Sequence, residues 1–213
     1  NFAYVASYIT LKWIGDVEAR EIANDGSVGL TPLWSARSKL QSLVGSDCDS
    51  RNIYLIRAGE PNNLVNFTWN TKACDAGGLP TGAANTGLNS AEQAHFNAST
   101  NVGLLSQYLA MTDGSGGSVD QRTAAKGANL VNYLRGQRGK ENFESGDINK
   151  LYRGRDAALG DIVSSQPVYV KAPFAEYFDA GYETFKIDQK DRPATIYVGA
   201  NDGMLHAFNA NAY

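Results

Sequence analysis

Asp202-Gly203 sits between two runs of alternating residues, Ala194-Thr195-Ile196-Tyr197-Val198-Gly199 and Met204-Leu205-His206-Ala207-Phe208. Asp-Gly between such runs favours a positive-φ turn, so the string predicts a tight antiparallel hairpin with its apolar side chains on one face. Weaker versions of the pattern lie upstream. Ala3 to Ile9 and Gly15 to Ile22 alternate on either side of Leu11-Lys12-Trp13-Ile14. Arg51 to Arg57 and Leu64 to Trp69 flank Gly59-Glu60-Pro61-Asn62-Asn63, and Pro167 to Lys171 adds a further strand. The sequence thus predicts about seven short strands in antiparallel hairpins.

Helical spacing takes over in between. Ala36, Leu40 and Leu43 share one helical face, with Ser35 placed to cap the first turn. Thr71 to Asn89, rich in Gly, Asn and Thr, predicts an exposed loop. Ser90 with Gln93 and Ser118 with Gln121 have capping-box spacing, and Asn101 precedes Val102, Leu105 and Leu109 at helical intervals. Ala124, Ala128, Val131 and Leu134 form one stripe that Gly136 stops, and another helix is expected around Tyr182 to Ile187.

The remaining composition excludes several function classes. Nineteen Lys and Arg against 22 Asp and Glu give a formal net charge of −3 in 213 residues, and no polybasic run suits a phosphate backbone, so no nucleic-acid partner is expected. No stretch reaches the roughly 18 consecutive apolar residues of a membrane span. The chain opens on Asn1 and Phe2 without a charged and apolar leader. The expectation is a processed export substrate or an internal piece of a longer polypeptide.

Cys48 and Cys74 fall in polar, loop-like surroundings. That placement favours a disulfide in an oxidising compartment, worth about 3.5 kcal/mol in the chain-entropy model for a loop of this length. Two separate reduced thiols are the alternative. Zinc is a third reading, but His95 and His206 lie far from the cysteines and from each other, without the short paired spacings of a structural zinc site.

The string from Ile196 to Ala210, with Asn201-Asp202-Gly203 at its centre, resembles the strand pair of a quinoprotein-like β-propeller blade. Taken with Leu159-Gly160-Asp161-Ile162 and the run on to Val170, it resembles the C-terminal propeller domain of the PilC/PilY family of type IV pilus tip and biogenesis proteins. Trp13 to Ala19, Leu33 to Ala36, Phe67 to Trp69 and Leu130 to Gly136 fit that family in the same order. The resemblance implies a mainly β fold, a partial β-propeller of about two blades of a larger ring with helical insertions. Residues 1–213 would then be the N-terminal portion of one propeller domain, with 90–136 as a helical insertion. Such a two-blade arc leaves strand edges to pair with the remainder of the propeller.

The function implied is non-enzymatic. It is a pilus tip-associated protein supporting pilus biogenesis and surface adhesion, exported to the periplasm, outer cell surface or pilus tip. Its implied partners are minor pilins of the tip and a host or abiotic surface. Family members carry calcium loops, and none is legible in this segment. Asp113 to Asp120 has acids only at its ends, which predicts a linker, so calcium is expected only in the remainder of the domain. Arg153-Gly154-Arg155-Asp156 is not the Arg-Gly-Asp tripeptide that some members use.

No catalytic constellation emerges. His206 reads as a packed strand residue and His95 as a solvated one; Trp13, Trp34 and Trp69 read as core between sheets. Asp161, Asn201, Asp202 and Gly203 read as structural turn residues, the two acids accepting backbone N–H groups. Two other functions are the alternatives: a fragment of a quinone-cofactor-dependent dehydrogenase, suggested by the same blade motif, and a secreted glycan-binding propeller, which requires exposed aromatic and amide clusters on its loops.

Overall fold

The computed structural model describes residues 1–59, 63–85 and 87–211. It separates into two units, residues 1–41 with 156–213, and residues 42–155.

In the first unit, β1 (Phe2–Ile9) and β2 (Ile14–Glu21) form the expected first hairpin, in register from Phe2 opposite Glu21 to Ile9 opposite Ile14. A 3-10 turn at Thr10–Lys12 reverses the chain, and Trp13 takes a left-handed φ of 54° to finish it. The two-residue β3 (Trp34–Ser35) pairs with β2 and runs directly into α1 (Ala36–Ser42). The second sheet of this unit has the order β10-β9-β8, all antiparallel, from β8 (Val168–Val170), β9 (Thr195–Gly199) and β10 (Leu205–Asn209). Helix α6 (Tyr182–Gln189) lies between β8 and β9 in the chain.

Alternation dictates what these sheets bury. Val17 and Ala19 of β2 join Ile196 and Val198 of β9 and Phe208 of β10 in one apolar cluster that also takes in Trp34, Ala36, Leu40, Leu159 and Ile162. Residues at i and i+2 share a face, so Ile196 and Val198 go in while Tyr197 between them stays exposed. Each large apolar side chain removed from water contributes about 1.5–3 kcal/mol. Trp34 is held further by its indole N–H, which donates to the Ala210 carbonyl at 3.2 Å.

In the second unit, β4 (Tyr54–Ile56) pairs with β5 (Leu64–Asn66), and β6 (Thr71–Cys74) with β7 (Pro80–Asn85). Short helices α2 (Ser90–Asn97), α3 (Ser99–Val102), α4 (Gln121–Ala124) and α5 (Ala128–Leu134) follow. Val102, Met111, Ala125, Leu130, Leu151 and Tyr152 are their common core.

Several local expectations are corrected. The chain is a mixture of helices and short antiparallel sheets rather than mainly β, and among the described residues no sheet closes or curls into a ring. Residues 71–85 are a hairpin, not an open loop, because Asp75 Oδ1 accepts the N–H groups of Gly77 and Leu79 and so folds the turn. The capping box before α2 belongs to Asn89 and Glu92, one residue earlier than expected. Asp120 caps α4 in place of Ser118, and Gly127, at φ 61°, splits the long stripe into α4 and α5. Asn101 lies inside α3 and donates to the His95 carbonyl instead of capping a new helix. Trp13 is 61% exposed and Trp69 only half-buried, so of the three tryptophans Trp34 alone is core. The tip of the second hairpin, at residues 60–62, lies outside the described residues.

Candidate functional site

Three chain segments converge on the turn between β9 and β10. Gly203 N–H donates to the Ala200 carbonyl and Ala200 N–H to that of Met204, both at 3.1 Å. Gly203 alone has positive φ, at 84°, so the hairpin has a longer turn than the two-residue form in which Asp202 would share that conformation. Asp202 thereby points its carboxylate back over the turn. It accepts Gly160 N–H at 3.0 Å, Met204 N–H at 3.1 Å and His206 Nε2 at 2.9 Å. From the neighbouring segment the Asp161 carbonyl accepts Asn201 N–H at 3.0 Å. Asp161 is buried, and its observed contact to the turn is through its main chain.

Close backbone approach makes glycine necessary at two points here. A Cβ on Gly160 would stand 2.6 Å from the Asp202 nitrogen, and one on Gly15 of β2 would stand 2.3 Å from the Gly160 carbonyl oxygen. Gly15, Gly160 and Asp202 therefore stack backbone on backbone.

The electrostatics are those of a closed site. Burial raises the pKa of the Asp202 carboxyl; the hydrogen bond and charge of His206, with the Gly160 and Met204 amides, outweigh it and hold the group below the usual carboxylate range. His206 is 6% exposed and stacks on Phe208 with 6.0 Å between ring centroids. The pair is thus packed, its carboxylate holds three donor groups, and among the described residues no nucleophilic side chain is bonded to it. The arrangement staples a turn.

A second buried acid, next to Gly15 in β2, does comparable work. Asp16 of β2 accepts Ser35 Oγ–H at 2.7 Å and Arg37 N–H at 2.9 Å, so a carboxylate sits at the N-terminus of α1, while Ser35 Oγ accepts Ser38 N–H at 3.1 Å. The expected Ser35 cap is present, and Asp16 holds it.

In the second unit Cys48 and Cys74 are disulfide-bonded, with their Cα atoms 5.3 Å apart. Beside them Asp49 and Arg135 form a buried ion pair: Arg135 Nε donates to Asp49 Oδ2 at 3.0 Å, and its Nη atoms reach Asp49 Oδ1 and the carbonyls of Phe67 and Arg51. Gln137 Nε2 adds a bond to Asp49 at 2.9 Å. Their sequence separation of 86 gave no local signal.

Among the described residues no group of three or more His, Cys, Asp or Glu side chains could hold a metal ion. Within the Asp113 to Asp120 segment both acids are spent on main-chain amides, Asp113 on Ser115 and Asp120 on Thr123. His95 is exposed. No helix among the described residues is long and apolar enough to cross a membrane.

Residues 159–213, which contain both walls of the stapled turn, match the family model described as the PilY1 beta-propeller domain. The chain is homologous to the PilY1 family over part of its length. It is 30% identical over 220 residues to the type IV pilus biogenesis factor PilY1 of Pseudomonas aeruginosa strain PAK, a match covering 99% of this chain and 15% of that protein. Strain PAO1 has a PilY1 with the same identity and coverage. A PilY1 homolog from Xylella fastidiosa strain Temecula1 is 43% identical over 95 residues, which is 41% of this chain and 8% of the relative. The chain thus spans about 15% of the length of its Pseudomonas relatives. No solved structure matches it.

Proposed function

We propose that this chain is a scaffold segment of a non-enzymatic type IV pilus tip protein that supports pilus biogenesis and surface adhesion. The match of residues 159–213 to the PilY1 propeller model carries this reading, because the motif residues inside that stretch spend their polar groups on folding. In this reading the two three-stranded sheets of the first unit are blades of a partial propeller, and their outer edges pair with the remainder of the ring. Residues 90–136 are an insertion in that domain. Minor pilins and a host or abiotic surface are the partners of the whole protein, and any calcium site lies in the remainder of the domain. The protein is exported to the periplasm, outer cell surface or pilus tip, a setting in which the Cys48–Cys74 bond persists.

Gold-labelled antibody against residues 156–211 on piliated cells tests the location. Label at pilus tips and the outer surface is expected, and label confined to the cytoplasm overturns the reading. Purified protein with added quinone and calcium should reduce no redox dye; turnover would favour the dehydrogenase instead.

A further inference from the structure

A cleft of about 80 Å³ opens in the second unit between the 46–47 loop, α5 and the segment around Gln137 to Lys140, with Tyr133 and Tyr152 among its lining side chains. We propose that it binds one edge of a neutral sugar ring, the terminal residue of a glycan, through two or three hydroxyls.

The hydrogen-bonding capacity left over in the cleft carries this assignment. Asn129 Nδ2 donates to the Ala124 carbonyl at 2.7 Å, which leaves its Oδ1 to accept. Asn132 Oδ1 accepts Thr71 Oγ–H at 3.0 Å, which leaves its NH2 group to donate. Gln137, 6% exposed, gives its NH2 to Asp49 and keeps Oε1 with no partner among the described residues. Lys140 Nζ bonds the Ile148 carbonyl and Asn149 Oδ1 at 3.3 and 3.4 Å and retains a third proton. The exposed Asp47 supplies a carboxylate at the rim. The lining side chains therefore retain both spare donors and spare acceptors, and a hydroxyl, which both donates and accepts, satisfies both kinds.

Charge and size narrow the ligand. One carboxylate and one ammonium line the cleft, so neither an anion nor a cation is favoured. The volume holds several waters at roughly 10–15 Å³ each, enough for one edge of a pyranose and far below the ~300 Å³ of a drug-sized pocket. Tyr133 gives no open stacking face. Tyr152 lies against it at 4.4 Å and the Arg155 guanidinium at 3.9 Å, and the two cannot share a side. Affinity then rests on hydrogen bonds alone, in the millimolar range, and useful adhesion requires many copies.

Methyl glycosides of glucose, galactose and N-acetylglucosamine, each titrated to about 10 mM, are the probes, with saturation-transfer and amide-shift NMR as the readouts. The site predicts saturation transfer from at least one glycoside, with shifts confined to residues 46–47, 129–140 and 152. It also predicts at least tenfold weaker binding in Asp47→Ala and Lys140→Ala proteins whose melting temperatures match the parent. No transfer from any glycoside, shifts elsewhere, or unchanged binding in both variants overturns the site. Tighter binding of inorganic phosphate than of every glycoside overturns the assignment of a neutral ligand.

Discussion

His206 Nε2 lies 2.9 Å from Asp202 Oδ2, four residues back across the turn between β9 and β10, and the same carboxylate reaches out to the Gly160 amide. One side chain thus ties a hairpin both to its own second strand and to a segment 42 residues earlier. Replacing Asp202 by Ala leaves three donors without their acceptor. The expected loss is about 2–3 kcal/mol in urea unfolding, with Asp202→Asn intermediate because an amide oxygen still accepts.

The same bond sets an acid limb. A carboxyl whose folded pKa is depressed stabilises the fold above its unfolded pKa, and that contribution disappears as pH falls through the folded value. Asp202 is such a group, so part of the stability should fall away below the usual carboxylate range. Urea midpoints measured from pH 5 to pH 2 should decline less in Asp202→Asn than in the parent.

Reducing the Cys48–Cys74 bond, or replacing both cysteines by Ala, reopens a loop whose ends are 26 residues apart. A loss of about 3.5 kcal/mol is expected on chain entropy, read as an earlier denaturant midpoint. Peptide mapping without reductant should recover the linked pair.

Asp49→Leu strands Arg135 in a site where its side chain is 3% exposed. That should cost about 3–5 kcal/mol, whereas the double replacement Asp49→Leu with Arg135→Met should cost less than the two single changes added together. A thermal-unfolding cycle on the four proteins reads the coupling.

Gly15→Ala would place a methyl 2.3 Å from a backbone oxygen that no side-chain rotation can move. Destabilisation of at least about 2 kcal/mol is expected, measurable as faster amide exchange along β1 and β2.

These residues also show what a sequence can disclose. The closing hairpin was legible because alternation and Asp-Gly are both local, and Ile196, Val198 and Phe208 are buried as their period-two pattern requires. Ser35 was legible as a cap for the same reason. The Asp202–His206 bond was within reach, since a turn between them brings positions four apart together, but nothing in the spacing showed which way the carboxylate pointed. Asp16 read as one more residue of a strand; its role depends on where α1 begins. Gly127 divided a stripe that periodicity joined, because a positive φ leaves no trace in apolar spacing. The amides of the cleft, at Asn129, Asn132 and Gln137, carry no motif of their own and line one cleft with Ser46 and Asp47, residues more than eighty positions earlier.

The proposed scaffold role of residues 159–213 in a larger exported protein makes the phenotype of Asp202→Ala a matter of abundance. Its most direct test is adhesion per unit of surface-displayed protein, with pilus number counted in parallel, in cells whose native gene carries Asp202→Ala. A scaffold role predicts that adhesion and pilus number fall only in proportion to the displayed protein. Loss of adhesion with display, folding and pilus number unchanged would contradict it and make Asp202 a binding residue.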